Sequence, residues 1–289
     1  VVYNYPCTLH IDPIEKKPLF HFLPKSRILS LATVGCNLHC KNCQNWEISQ
    51  TNPEDSIAHY LSSRNLVHKA LYYRCPSIAY TYIDPVVYYE YTYDTSKIDH
   101  EKNIYNVLVT AGYINQKPFK ELLQFIDAAN IDLKSMEEKF YKNICKATLK
   151  PVLDALILAK SRGIILEITH LIIPTLNDSD KDLQKLTRWI KQNLGKDIPL
   201  HFSRFYPRYK MKNLAPTSLK TLLRAKEIAI SEGLYYVYIG NIFSEDGGTT
   251  YCPNCNKMLI IRQGYHIISN ILISGKCPYC KTKIYGKWY

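Results

Sequence analysis

The sequence predicts an α/β chain: a partial (β/α)6-type barrel followed by a small C-terminal module built on cysteine knuckles. Three observations carry this expectation. From Ile28 to Ile239, β-branched or apolar runs of about five to eight residues alternate with helical patterns, as in a parallel sheet assembled from β/α units. Polar residues recur at the carboxyl ends of those runs. Two Cys-Pro-x-Cys words, 21 residues apart, follow the turn-rich hinge Ser244-Glu245-Asp246-Gly247-Gly248, where the composition changes.

The first strand candidate, 28–33, leads at once into a loop opened by Gly35 that carries Cys36, Cys40 and Cys43. Helical patterns near 54–73, 86–101, 118–128, 150–162, 178–194 and 218–232 lead in turn to strand candidates 77–82, 105–110, 130–134, 164–171, 198–203 and 235–239. Pro151 suits a first helical turn and Gly163 a C-terminal cap, while Leu183, Leu186, Ile190 and Leu194 form a stripe that stops at Gly195. Six such units and a closing strand suffice for a partial barrel, whose ligands bind at the carboxyl ends of the strands. Asp84, Thr110, Asp132 with Lys134, Glu167 with His170, His201 with Arg204, and Gly240-Asn241 fall on or just after successive strands. A single polar residue there is ordinarily just solvated; recurrence in every unit marks a site. The expected organisation is an N-terminal extension packing on the barrel (1–27), the barrel (28–243) and the terminal module (244–289).

At 289 residues, with 46% hydrophobic and 12% aromatic content, the chain has the composition of a globular protein, which excludes disorder as its default state. No apolar run approaches the roughly 18 residues of a bilayer span, and Val1-Val2-Tyr3-Asn4 has neither a basic head nor a signal core, so the expected location is cytoplasmic with no membrane. Seven of the ten cysteines fall in two tight groups, which points to metal sites in a reducing compartment; Cys7, Cys75 and Cys145 read as small thiols without a role. The net charge is +12, and residues 201–289 hold thirteen Lys/Arg against four Asp/Glu. With no run of five or six basic residues, a solubilising surface is favoured over a nucleic-acid partner.

The word Cys36-Asn37-Leu38-His39-Cys40-Lys41-Asn42-Cys43 is CxxxCxxC, and three thiolates at this spacing can hold three irons of a 4Fe-4S cluster while leaving the fourth without a protein ligand. Zinc is the alternative, with His39, Cys75 or Cys145 as fourth ligand. Cys252-Pro253-Asn254-Cys255 and Cys277-Pro278-Tyr279-Cys280 predict a zinc ribbon with a closed tetrahedral shell and a structural role; an auxiliary iron-sulfur cluster is the alternative. Neither knuckle follows a strand and opens a helix, which argues against a redox pair.

With these words in hand, the chain resembles the radical SAM superfamily. Within it, the resemblance is to the activase-like branch related to pyruvate formate-lyase activating enzymes and to the radical SAM component of the AmmeMemoRadiSam system. Gly35-Cys36-Asn37-Leu38, Cys43 to Gln50, Asp132-Leu133-Lys134, Asn177-Asp178-Ser179, His201 to Phe205 and Tyr238-Ile239-Gly240-Asn241 carry it. The resemblance implies a 4Fe-4S cluster on Cys36, Cys40 and Cys43, with S-adenosylmethionine chelating the fourth iron and cleaved by one electron to a 5'-deoxyadenosyl radical that abstracts hydrogen from a substrate. It further implies contacts to S-adenosylmethionine from Asp132, Lys134 and His201, with Asp84 in the same set. A cationic or imidazole donor suits the cofactor's carboxylate and ribose, and an aspartate its amino group. A low-potential donor of flavodoxin or ferredoxin type and a protein substrate activated at a backbone glycine belong to the same implication. Departures are Asn42 before the third cysteine, Thr81-Tyr82-Ile83-Asp84-Pro85 for Thr-Tyr-Asn-Glu-Pro, and Thr110-Ala111-Gly112 for Thr-Asn-Gly. They underlie the rival expectation, a non-catalytic metal- and nucleic-acid-binding protein with a degenerate cofactor site.

Overall fold

Apolar strands alternating with one-sided helices produce a singly wound layer. The computed structural model describes residues 2–289. Strands β1 (Thr8–Pro13), β2 (Arg27–Ala32), β3 (Ser77–Tyr80), β4 (Tyr105–Thr110), β5 (Ala128–Asp132), β6 (Ile165–Ile172), β7 (Leu200–Arg204) and β8 (Val237–Gly240) lie side by side in chain order. β1 runs antiparallel to β2, and every later pair is parallel. Stepping always to the next strand in the same sense gathers the helices on one face and curls the other around an interior. Among the described residues β1 and β8 do not pair, so the barrel stays open between them.

The helices are α1 (Trp46–Ser49), α2 (Ser63–Tyr72), α3 (Tyr89–Glu101), α4 (Gln116–Leu122), α5 (Glu138–Phe140, continued by a π turn over Tyr141–Cys145), α6 (Lys150–Ser161), α7 (Asp180–Asn193) and α8 (Leu219–Ser231). Ser62, Ser179 and Ser218 cap α2, α7 and α8 by accepting from the third following N–H, worth about 1 kcal/mol each. Leu183, Leu186 and Ile190 are buried, as the stripe predicts. Among the described residues, no helix is long and apolar enough to cross a membrane.

Several expected boundaries move. The helix expected over 54–73 contains only α2, because Pro53–Asp55 is a short 3-10 turn and the chain then runs without helix to Ser62. The helix near 118–128 stops at Leu122, and β5 starts at Ala128 rather than 130. Residues 8–13, expected within an extension lying on the barrel, are themselves its edge strand. Thr8-Leu9-His10-Ile11-Asp12 alternates polar and apolar residues as a half-buried strand does, and the segment is held by six register partners on β2.

Past β8, the strands β9 (Thr250–Tyr251), β10 (Met258–Gln263) and β11 (His266–Asn270) form a second sheet in the order β11-β10-β9. Its core is shared with the barrel: Phe20, Tyr236 and Tyr238 pack with Cys252, Leu259, Ile260, Cys277 and Ile284. The last residues return to the N-terminal segment through Leu23 N to Lys287 O and Lys287 N to His21 O, both 2.8 Å. Gly286 permits this approach. Its φ is +136°, and a Cβ there would sit 2.5 Å from the His21 carbonyl oxygen.

Buried polar contacts tie the two sheets. His21 donates through Nδ1 to Tyr285 O at 2.6 Å and accepts at Nε2 from Tyr238 OH at 2.6 Å, while Tyr238 OH lies 2.8 Å from Thr250 Oγ1. Arg262 donates to Thr250 Oγ1 at 2.9 Å and to Phe20 O at 2.7 Å. Burial pulls the His21 pKa down to about 4, and its contacts suit the neutral ring.

Candidate active site

The cysteine loop hangs from partners distant in sequence. Gly35, at φ +89°, turns the chain out of β2, and its N–H donates to Ile48 O at 2.9 Å. The π turn after α5 grips the middle of the loop, with His39 N to Cys145 O at 3.0 Å and Lys41 N to Ile144 O at 2.9 Å. Asn37 Nδ2 donates to Tyr113 O at 2.7 Å and Asn45 Nδ2 to Tyr82 O at 2.6 Å. Gln50 accepts from His39 Nδ1 at 2.7 Å, which engages the imidazole weighed as a zinc ligand.

Burial pushes the Cys36 thiol up to about 11, with Asp84 adding to the effect. The neighbouring Cys145 thiol, together with burial, raises Cys40 well above the ordinary thiol value. Burial also raises Cys43, whose Sγ lies 3.2 Å from Ser49 Oγ. These thiols stay protonated until a metal displaces the proton. Cys145, expected to be idle, is thus a neighbour of the loop, placed there by the π turn.

A cavity of about 900 Å³ runs inside the barrel, lined by Cys36, Cys40 and Cys43 and by Asp84, Asp132, Lys134, His201, Gly240 and Asn241 from the strand ends. Asp84 is spoken for by the chain: it accepts from Thr110 Oγ1 at 2.8 Å, Ala111 N at 3.0 Å and Val86 N at 3.3 Å. Asp132 and Lys134 pair at 2.6 Å. Burial opposes the Lys134 charge, but the Asp132 carboxylate beside it raises its pKa well above the ordinary value. His201 Nε2 meets Glu167 Oε2 at 2.6 Å, and Glu167 Oε1 accepts from His21 N at 2.7 Å. Burial works against the Glu167 carboxylate, but His201 holds its pKa below the ordinary value. Glu167, His170 and Arg204 do not line the cavity. Their side chains position neighbours instead, as His170 does through Nδ1 to Leu133 O at 2.7 Å.

The residues fit an iron-sulfur cluster with a polar co-ligand. Three soft sulfur donors face one cavity, whose wall also contains two buried oxygens without a hydrogen-bond partner, Asn42 Oδ1 and Thr169 Oγ1. Among the described residues, the Cys36, Cys40 and Cys43 sulfurs do not converge as a single-ion site.

The other four cysteines do converge. Sγ atoms of Cys252, Cys255, Cys277 and Cys280 all lie within 4.8 Å of one another and could hold a metal. Two matching turns set them: Cys252 N to Lys257 O and Cys277 N to Thr282 O are both 2.9 Å, with left-handed residues at Asn256 and Lys281. The Thr282 hydroxyl and N–H draw Cys280 down to about 5.

A sequentially ordered β/α barrel with three free thiols on the loop after its first parallel strand defines a class of enzyme in which a metal cluster is presented at the barrel mouth. The chain belongs to the Radical SAM superfamily, whose family model matches residues 30–189. It is 48% identical over 286 residues, 98% of this chain and 85% of the relative, to an uncharacterised protein of Methanocaldococcus jannaschii. It is 27% identical over 161 residues to the pyruvate formate-lyase-activating enzyme of Clostridium pasteurianum, covering 54% of this chain and 66% of that one. The fold resembles that of a radical SAM methyltransferase from Sphaerobacter thermophilus, with a TM-score of 0.59, 17% identity and coverage of 76% and 68% of the two chains. The family implies a 4Fe-4S cluster and S-adenosylmethionine, and makes this chain an enzyme of radical chemistry.

Proposed function

We propose that Cys36, Cys40 and Cys43 hold three irons of a 4Fe-4S cluster and leave the fourth to S-adenosylmethionine, and that the enzyme uses the cofactor to abstract hydrogen from a protein substrate. The observation that carries this is the non-converging set of three free cysteines on the wall of a 900 Å³ cavity. When bound, the cluster supplies one electron that splits the sulfonium of S-adenosylmethionine into methionine and a 5'-deoxyadenosyl radical.

The chain's own residues bind and shield. Lys134 offers a cation to the cofactor's carboxylate and Asp132 an anion to its amino group, each exchanging its present partner for the ligand. His201, with Nε2 committed to Glu167, has Nδ1 left for the ligand. Asp84 acts mainly by holding Thr110 and Ala111 in place, and it supports the cofactor through them. Ser49 donates to the Cys43 sulfur. Barrel walls exclude water from the reacting centre. In the terminal module, Cys252, Cys255, Cys277 and Cys280 hold a structural zinc ion.

A protein substrate is supported by relatives named as activating enzymes of pyruvate formate-lyase and 4-hydroxyphenylacetate decarboxylase. The electron source in this reading is a low-potential flavodoxin or ferredoxin. The test is anaerobic reconstitution with iron and sulfide, followed by dithionite and S-adenosylmethionine. Formation of 5'-deoxyadenosine is expected in the native chain and its loss when Cys36, Cys40 and Cys43 are all changed to Ala. Turnover that persists in the triple variant overturns the reading.

A further inference from the structure

We propose that the turn Arg208–Lys212, which lies against the outer side of the cysteine loop, is the docking surface for an acidic electron carrier of ferredoxin type; the proposal rests on reading Cys36, Cys40 and Cys43 as cluster ligands and deepens that reading. The loop separates the cavity from the surface. Cys36, Leu38, Cys40, Asn42 and Cys43 line the cavity, whereas His39 and Lys41, which alternate with them, do not, and His39 is exposed. Lys210 N donates to Lys41 O at 3.1 Å, which brings the turn against the stretch between Cys40 and Cys43. The Tyr209 ring stacks on Trp46 with centroids 5.4 Å apart and planes 8° apart, and Met211 is buried in the barrel core. A hydrogen bond from Met211 N to Arg208 O at 3.0 Å closes the turn.

The turn carries charge that the chain itself does not answer. Arg208, Lys210 and Lys212 are exposed, and among the described residues none of them has an acidic partner within 4.0 Å. No Asp or Glu occurs between Asp197 and Glu227. The loop and α1 hold a single acid, Glu47, and a single cation, Lys41, so they leave the excess on the turn uncancelled. A local excess of this kind steers an acidic partner and sets its orientation more than it adds to affinity.

The position identifies the partner's chemistry. None of the residues from Arg208 to Lys212 lines the cavity, so a macromolecule can sit on the turn while cofactor and substrate fill the interior. What the cysteine loop takes from outside is an electron, and because transfer weakens steeply with distance, the carrier belongs where the loop is reached without entering the barrel. One electron passes per encounter: the carrier is oxidised by one equivalent and the cluster is reduced by one. An iron-sulfur carrier reaches low potentials and exchanges single electrons without a proton, which matches this step more simply than a flavin, whose electrons are coupled to protons. Nucleic acid fits less well. The stacked faces of Trp46 and Tyr209 are turned to each other rather than offered to bases, and three cations make a short track for a phosphate backbone.

The test uses the full chain, reconstituted anaerobically. Biolayer interferometry reads its binding to an oxidised, acidic 4Fe-4S ferredoxin, with an acidic flavodoxin and a single-stranded oligouridylate as competing classes. Expected is saturable ferredoxin binding, tighter than that of either competitor and weakening as salt rises from about 0.05 to 0.3 M. Arg208→Glu, Lys210→Glu and Lys212→Glu together should weaken it at least roughly tenfold at the lower salt, because like charges then face each other. A control with the same change of net charge, Lys69→Glu, Lys97→Glu and Lys102→Glu, should leave binding nearly unchanged, since these exposed residues stand towards the carboxyl ends of α2 and α3, at the end of the barrel away from the cysteine loop. With S-adenosylmethionine added, 5'-deoxyadenosine formation driven by reduced ferredoxin should fall in the turn variant by a similar factor, and formation driven by dithionite should not. Ferredoxin binding that is absent, persists in the turn variant, falls equally in the control, or is weaker than that of the flavodoxin or the oligonucleotide overturns the proposal. Equal loss with both reductants means that the turn only shapes the loop, and also overturns it. Failure of the native chain to form 5'-deoxyadenosine with dithionite is a separate result that defeats the cluster reading, whereas binding is read without any cofactor cleavage.

Discussion

The two cysteine groups of this chain are built in opposite ways. In the terminal module, matching turns around Asn256 and Lys281 bring four sulfurs within 4.8 Å of one another, with hydrogen bonds that span only a few residues. In the barrel, Cys36, Cys40 and Cys43 sit on a loop held by the backbone carbonyls of Tyr82, Tyr113 and Cys145, brought in from other β/α units. A closed shell can be written into a short stretch of sequence. An open one, as proposed for Cys36, Cys40 and Cys43, needs an outside scaffold to keep its ligands from collapsing on the metal or on each other, and the barrel would provide it. The same difference predicts what each group contributes to stability: the closed site holds its own fold together, and the open site is held by a fold that exists without it.

The largest expected effect breaks this comparison if it fails. Cys252→Ala should release the module's metal and destabilise the chain by on the order of 5 kcal/mol, since structural zinc is coupled to folding. Changing Cys36, Cys40 and Cys43 together to Ala should cost no more than about 2 kcal/mol while abolishing cluster uptake. Calorimetry with metal analysis reads both, and equal losses of stability would remove the distinction.

The second effect lies at the junction of the two regions. His21 has a folded pKa of about 4 against 6.5 for an ordinary histidine, so the unfolded chain binds the extra proton first as pH falls. Its contribution is complete above pH 6.5 and declines towards pH 4, by about 3 kcal/mol at 1.36 kcal/mol per pH unit. Glu167, whose folded pKa is lowered, adds to the loss in more acidic solution. Urea unfolding at pH 7.0 and 4.5 should show this decline, and the module's tyrosines should report it no later than the barrel does. A barrel that melts first would place the weak point elsewhere.

The smallest effect lies in the barrel but away from both cysteine groups, and serves as a reference. Asp99 on α3 is fully buried, with Tyr80 OH at 3.3 Å, and burial raises its pKa to about 8. The sign is the reverse of His21: its stability is complete below pH 3.8 and is lost as pH rises towards 8. Asp99→Asn should therefore stabilise the chain by about 1–2 kcal/mol at pH 7 and have little effect near pH 3.5, with no change in metal content at either site. Equal effects at the two pH values would mean that the carboxyl is ionised in the fold.

Much of this molecule was legible along the chain. The parallel strands from Arg27 to Gly240 follow the apolar runs, because a strand covered on both faces must be apolar throughout. Both cysteine groups stand where their spacing marks them, since ligand spacing is set by turns a few residues long. Asp84, Asp132, Lys134 and His201 reach the cavity, as strand ends in such a layer must, but Glu167 and His170 on β6 and Arg204 on β7 do not. Their side chains are drawn to His201, Leu133 and Tyr206 by hydrogen bonds that no periodicity displays.

What the amino-acid order determined by itself is therefore local: the β/α alternation, the two sulfur sets and the caps, each decided by residues within a turn or two of one another. The pairing of β1 with β2, the approach of Cys145 to Cys40 and the placing of Arg262 beside Phe20, 242 positions away, were decided only when the sheet curled round its interior. Such contacts have no short-range signature because their partners are chosen by burial and hydrogen-bond satisfaction across the whole fold, and it is there that the chain joins the four-cysteine module to the barrel.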